Sequence, residues 1–374
     1  MSVVTRFLYD NLVQTSAYTL SASSAEQNHP VAWLRNHLLG KPWRSALGWT
    51  IVASFNDSID FDRGGVKVAN IAAGTYATSA DMCAAVVLAL TAADVTPTWA
   101  CSYNSGTGVF TISNGSGHNF KLLCGSGANL ATSAFKSLGF INVGGTGLDT
   151  GLATSQAGGF ATYQSTHYVG LDLASSGNSP GTGGVFVLSH NLTSSGAAYA
   201  NRSNTSIIAA ASAGTSIALT WSASKSGEFF SSIQQRRYWA LVIEDCANSQ
   251  GYAEIGVWFL GSYGQPTYNY TEPNPRSSRE LSTVSYGASG AHWHTQRTAG
   301  GSWEFVFRDA PSADQTILEA LRDAAPVGKA WLFATDASNP LSKTYYGFIA
   351  GSGMSEETAG VYKTYSFQFE EILA

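Results

Sequence analysis

The chain has 374 residues, of which 12% are charged, about half the usual share for a soluble domain. Thirty-nine glycines and a 12% aromatic content, with ten Trp and seventeen Tyr, describe a β-rich external or virion protein better than a cytosolic enzyme. A net charge of −5 without a basic tail argues against a nucleic-acid partner, and no apolar run reaches the ~18 residues of a membrane span. Residues 1–9 (MSVVTRFLY) lack a long apolar core before Asp10 and Asn11, so no secretory signal is expected.

In chain order, residues 19–24 read as a strand of small and polar residues. Loops follow around Asn28-His29-Pro30 and Asn36-His37, and 48–52 (GWTIV) is the next strand. Residues 57–165 follow a different pattern. Thr78-Ser79 caps an Ala-rich helix over 81–93, with Met82, Val86 and Leu90 on one face and Val87 beside them. Residues 99–103 and 109–113 flank a turn and predict a hairpin, 119–123 is a strand, and 129–138 predicts a short helix ending at Gly139. A Gly/Thr/Ser linker covers 144–159. Strands then resume at 166–173, 184–192, 237–243 and 253–261.

The last eighty residues are the most regular. Trp303, Phe305 and Phe307 share one strand face. Ser312 and Gln315 suggest a capping box for a helix whose stripe is Ile317, Leu318 and Leu321, stopped by Pro326. Strands over 329–335, 343–350 and 362–372 complete the pattern, the last alternating Tyr365, Phe367 and Phe369 with polar residues. The expected fold class is mainly β with a minor α+β part.

Several of these segments resemble known families. Ser21-Ala22-Ser23-Ser24, Pro30, Leu38-Leu39 and Trp43-Arg44-Ser45 resemble the opening of a galactose-binding-like (discoidin-type) jelly-roll sandwich. Leu171-Asp172-Leu173, residues 237–243 and residues 253–261 resemble its later strands, so the likeness covers 1–56 plus 166–262. Gly74-Thr75-Tyr76, Tyr103, residues 107–113, Phe120, Leu122-Leu123 and Leu138-Gly139-Phe140 are similar to a small α/β module of bacteriophage tail proteins, here inserted as 57–165. Phe259-Leu260-Gly261, Gln265-Pro266 and Asn269 resemble the phrase that leads from such a sandwich to a terminal domain, with 263–279 as the linker. Residues 280–374 are similar in element order to the ring-forming β-sandwich or split-barrel domain of tail tube and distal tail proteins.

These resemblances imply a structural virion protein of a tailed bacteriophage. It would be a distal tail or baseplate component made in the host cytoplasm and located at the tail tip. The implied partners are copies of itself, in a hexameric ring with a trimer as the alternative, and other tail proteins (tail tube, hub, fibres). No enzyme activity, cofactor or membrane insertion is expected. The alternative is a receptor-binding adhesin for host surface glycans.

Candidate chemistry is sparse. Trp43, Arg44 and Trp49, with Tyr18, could stack on a sugar ring, or the tryptophans could be core plugs. Tyr365, Phe367 and Phe369 suggest a face covered by a neighbouring subunit. His292 and His294 form a metal-type pair without a third ligand. Asp57, Asp60 and Asp62 echo a Ca²⁺ loop without its spacing, and a solvated junction is the plainer reading. Gly125-Ser126-Gly127 reads as an ordinary turn and not a nucleophile elbow. Glu244-Asp245 and Glu356-Glu357 are adjacent pairs, unlike the opposed carboxylates of a glycosidase. Cys83, Cys101, Cys124 and Cys246 are either free buried thiols or include one disulfide within 83–124.

Overall fold

A computed structural model describes residues 4–36, 38–115, 117–140, 149–151, 153–160, 166–174, 180–245, 248, 250–268, 270, 276–279, 283–286, 292–295 and 300–372. The described residues form seven antiparallel sheets and three α-helices, so the fold is mainly β.

Two five-stranded sheets make a sandwich. The outer sheet runs Thr215–Ala218, Ala197–Ser203, Tyr238–Glu244, Thr166–Asp172, Thr19–Ala22. The middle sheet runs Thr220–Trp221, Lys225–Gln234, Thr182–His190, Glu254–Gly261, Trp43–Arg44. Strand side chains alternate between faces. Val185, Val187, Trp258 and Leu260 of the middle sheet therefore meet Trp239, Leu241 and Val169 of the outer sheet in one core.

The other face of the middle sheet is also apolar. Phe186, Leu188, Val257 and Phe259 point away from the sandwich core, yet all are buried. The terminal sheet covers them. It runs Arg6–Leu8, Ala330–Ala334, Thr344–Ala359, Tyr362–Glu371, Gly300–Ala310, Arg276–Arg279. Leu8, Ala330, Leu332, Ala334 and Tyr346 supply its half of this second core. Gly227 makes room there, because a Cβ at that position would lie 2.1 Å from the Phe186 ring.

The strand Arg6–Leu8 departs from the sequence reading, which grouped all of 1–56 with the sandwich. It pairs instead with Ala330–Ala334, in the register Arg6 to Ala334 and Leu8 to Leu332. Three residues of strand have too little pattern to reveal that partner. The opposite face of the terminal sheet packs on α3 (Ser312–Ala324), the helix that follows α1 (Ser79–Ala93) and α2 (Ile207–Ala213) in the chain. Leu318 and Leu321 lie there against Phe7, Phe305, Phe307, Trp331, Tyr365, Phe367 and Phe369. The expected capping box does not form. Pro311 holds the cap position without a side-chain bond, and the Gln315 amide donates to the carbonyls of Ala310 (2.8 Å) and Val361 (2.9 Å).

The inserted unit has its own core around Trp49, Ile59, Phe61, Val86, Trp99, Phe110 and Phe120. Thr78 caps α1 by accepting from the Asp81 N–H at 3.2 Å. Trp49–Ile51 pairs with Gly74–Tyr76, so the unit begins near Trp49 and not at 57. The helix expected over 129–138 is only a 3-10 turn, Leu130–Thr132. Its backbone is diverted into tertiary bonds, as where Ala134 N–H donates to the Ser58 carbonyl at 2.7 Å. The unit docks on the outer sheet through Phe55 against Tyr168, with ring centroids 4.8 Å apart, and through an ion pair between Lys136 and Glu244. Ala210 and Ala211 of α2 fill the same contact.

Phe7 is the test of this arrangement. It is fully buried, stacks on Phe333 at 5.3 Å and meets Phe307 edge-on at 5.7 Å. Replacing it by Ala should cost about 3–5 kcal/mol, the usual range for emptying a buried Phe site. Equilibrium urea denaturation followed by Trp fluorescence measures this, and a loss below about 1 kcal/mol would mean the first strand is dispensable.

Candidate functional site

The residues expected to stack on a sugar do not come together. Trp43 is fully buried in the sandwich core, and its indole N–H donates to the Ser24 carbonyl at 3.1 Å. Trp49 sits in the separate core of the inserted unit, edge-on to Phe110 at 5.3 Å and to Tyr103 at 5.8 Å. Both are core plugs. Arg44, next to Trp43 on a strand, points the other way. It pairs with Glu254, lies 4.0 Å from Glu26 and spreads its guanidinium over Tyr252 at 5.0 Å. Tyr18 is partly buried against the sandwich core.

The expected subunit face is also covered from within. Tyr365, Phe367 and Phe369 are at most 3% exposed, under α3 and beside Phe7 and Trp331. The Tyr365 hydroxyl donates to Glu319 at 3.0 Å. These aromatics thus fill the chain's own core and present nothing to a neighbour.

The acidic residues each have local work. Asp60 is buried and accepts from the N–H of Asn129 (2.7 Å) and from its side-chain amide (2.9 Å). Asp57 accepts from Ser54 N–H at 3.0 Å, and Asp62 from Gly65 N–H at 2.9 Å. Their oxygens are spent on three separate turns and not on a shared cation. Gly125-Ser126-Gly127 is a turn clasped by Asp149, which accepts from the N–H groups of Gly125 and Ser126 and from the Ser126 hydroxyl. Gly127 is required because a Cβ would lie 2.5 Å from an Asp60 oxygen.

Glu244 holds Lys136, while Asp245 accepts from the Thr193 N–H and hydroxyl, both at 2.7 Å. Glu356 bridges Arg322 (2.7 Å) and Lys363 (2.8 Å) beside α3. His292 and His294 lie on the strand His292–Thr295, which pairs with Thr283–Tyr286, and their side chains are outside the described residues, as is Cys246. Among the described residues no three His, Cys, Asp or Glu side chains gather where they could hold a metal ion. No described helix is long and apolar enough to cross a membrane.

Two arrangements were missed in the sequence. Asp94 ends α1 and is nearly buried, where a negative charge opposes the helix dipole. Arg63 grips it through both nitrogens of its fork (2.5 and 2.9 Å) and Lys67 adds a contact at 2.8 Å. The Arg63 hydrogen bond, opposed by burial and aided by Lys67, holds the Asp94 carboxyl well below the usual carboxylate range. Only the alternation of a short strand, not a motif, could have signalled this.

The second arrangement is a pair of thiols. Cys83 on α1 and Cys101 on the strand Trp99–Asn104 stand where these two elements pack together. Their mutual interaction lowers the Cys83 thiol and raises Cys101, which burial raises further. Both line an open groove of about 440 Å³ with Ser79, Ala80, Val87 and Tyr103. Cys124 is free and buried elsewhere in the same unit, its thiol pushed up to about 12 by desolvation and by Asp149.

No protein-family model matches the chain, and no curated protein matches its sequence.

Two outcomes are expected. Trp43→Ala should lose about 3–5 kcal/mol of stability, read by denaturant titration, as for any fully buried Trp. A variant of unchanged stability would return Trp43 to the surface. The Asp94 charge stabilises the fold fully above the unfolded carboxylate's pKa of about 3.9, and this contribution fades as pH falls toward the lower folded value. Between about pH 5 and pH 2, the melting temperature of Asp94→Asn should therefore fall less steeply than that of the parent. Parallel slopes would show that Asp94 is not charged in its pocket.

Proposed function

We propose that this chain is a structural protein of a bacteriophage tail tip, a distal tail or baseplate component that assembles in several copies around the tail axis. The observation that carries the reading is the continuous stack of outer sheet, middle sheet and terminal sheet. It makes the sandwich and the terminal domain one stiff body, as a connector that transmits load needs. The resemblance of the inserted unit, the connecting phrase and the element order of residues 280–374 to tail proteins supports it independently.

The stitching between the layers supports stiffness as well. Lys225 of the middle sheet donates to the Thr344 carbonyl at 2.5 Å, and burial lowers that lysine's pKa. Arg6 lies over Tyr263 at 4.1 Å and donates to Gln265 at 2.9 Å. In this reading the contacts between copies fall on the edges and turns of the terminal sheet. The hairpin tip there leaves Val361 80% exposed and Tyr362 51% exposed. The adhesin alternative loses the stacking platform that Trp43 and Trp49 were to provide.

Averaged electron micrographs of virion tail tips, with this chain labelled, test the proposal. The expected result is a closed ring of copies around the tail axis with the terminal domains innermost. Label found only on outward projections would overturn it in favour of a peripheral role.

A further inference from the structure

We propose that one end of the sandwich, at Arg202 and Arg236, binds a phosphate dianion, free or as a monoester of a larger molecule. Arg202 follows Ala198 and Ala200 on the strand Ala197–Ser203, and alternation turns it toward the same space between the sheets. It lies directly across the ladder from Trp239, which stacks on Phe230 of the middle sheet with the rings nearly parallel and their centroids 5.7 Å apart. The Trp239 indole N–H donates to the Arg236 carbonyl at 3.1 Å, and the Arg237 N–H donates to the Asn204 side chain at 3.2 Å. Residues 202–204 and 236–239 therefore come together at the edge of the sandwich core.

The guanidinium at that edge has no counter-charge. Nε and Nη1 of Arg202 are enclosed and have no hydrogen-bond partner among the described residues. Burial lowers the Arg202 pKa from its ordinary value, and the like charge of Arg236 lowers it further. An enclosed charge without a partner is costly. Asp172, the carboxylate on the next strand at this end, is already taken: its two oxygens accept from Arg237 at 2.8 and 3.0 Å. The Arg236 side chain is exposed, and its bond among the described residues goes to the Gln235 carbonyl at 3.0 Å. Three arginines thus share one carboxylate here, in a chain whose net charge is −5.

Two unbalanced positive charges call for a ligand with two negative ones. Phosphate monoesters carry close to that charge at neutral pH, and guanidinium forks match the geometry of their oxygens. A single carboxylate would leave one charge unanswered. Arg202 is half-buried, and its Nη2 is not enclosed like the other two nitrogens, so the anion meets the guanidinium there. Arg236 supplies the second charge from the solvent side. The site does not depend on where the chain assembles.

The test is calorimetric titration of the whole chain with glycerol 3-phosphate and with inorganic phosphate, at fixed ionic strength and about pH 7.5, above the second phosphate pKa of about 6. The expected result is saturable binding of one anion per chain. Arg202→Met should weaken it about tenfold or more, the loss expected for a charged hydrogen bond. Arg236→Gln should weaken it a few fold, as for a surface charge pair. Tighter binding of glycerol 3-phosphate assigns the site to a monoester, and equal or weaker binding assigns it to the free anion. In phosphate-free buffer Arg202→Met should melt no lower than the parent, since it removes an unpaired charge from an enclosed place. The proposal is overturned if the parent shows no saturable binding, if acetate binds as tightly as phosphate, or if Arg202→Met binds like the parent. Arg236 is exposed, so its substitution leaves the fold intact, and unchanged affinity in Arg236→Gln overturns the site as well.

Discussion

The structure depends on a sheet buried on both faces. In the strands Thr182–His190 and Glu254–Gly261 nearly every side chain is covered, with Val185, Val187, Trp258 and Leu260 toward the sandwich core and Phe186, Leu188, Val257 and Phe259 toward the terminal sheet. An antiparallel sheet usually keeps one face wet. This one cannot, because Phe186, Leu188, Val257 and Phe259 would present a large apolar patch to water. The terminal domain must therefore dock, and the stack of three sheets follows from that requirement. The strand Arg6–Leu8 serves the same need from the other end of the chain. It sits at the edge of the terminal sheet and places Phe7 in one core and Leu8 in the next.

The remaining parts attach to this stack by smaller and more polar contacts. The inserted unit meets the outer sheet through Phe55, Tyr168 and two alanines of α2, with Lys136 and Glu244 at the margin. Its internal architecture is set by carboxylates used as clamps. Asp60 holds the loop at Asn129, Asp94 holds two basic side chains against the end of α1, and Asp149 holds the Ser126 turn. Near Leu130, where a helix was expected, the N–H groups of Asn129 and Ala134 bond to Asp60 and Ser58, and the local bonds that remain are short turns.

Much of the fold was legible because alternation is explicit in the sequence. The terminal strands, α1, α3 and the hairpin over 99–113 all read directly from period. What covers an apolar face was not legible. Tyr365, Phe367 and Phe369 show the same pattern whether a neighbour or the chain's own α3 and Phe7 lies over them. Trp43 likewise carries no mark that separates a plug from a platform, and only its place beside Ile255 in the sandwich core decides. The groove that Cys83 and Cys101 share was hidden for a related reason. Cys83 and Cys101 sit on a helix and a strand with no CxxC spacing, and only the packing of those elements makes them neighbours.

The abundance of aromatics, read first as one mark of a β-rich external or virion protein, belongs largely to the interior. Trp43, Trp239, Trp258, Trp331, Phe7, Phe186 and Phe259 are all fully buried. A stack of sheets needs wide side chains, since facing sheets stand about 10 Å apart and Ala or Ser cannot span that gap. Between the terminal and middle sheets, Ala330 and Ala334 share the second core with Phe186 and Phe259, and Gly227, paired with Phe186 within the middle sheet, leaves room for that ring. The aromatic side chains thus serve to fill the cores between the stacked layers and do not form an exposed cluster.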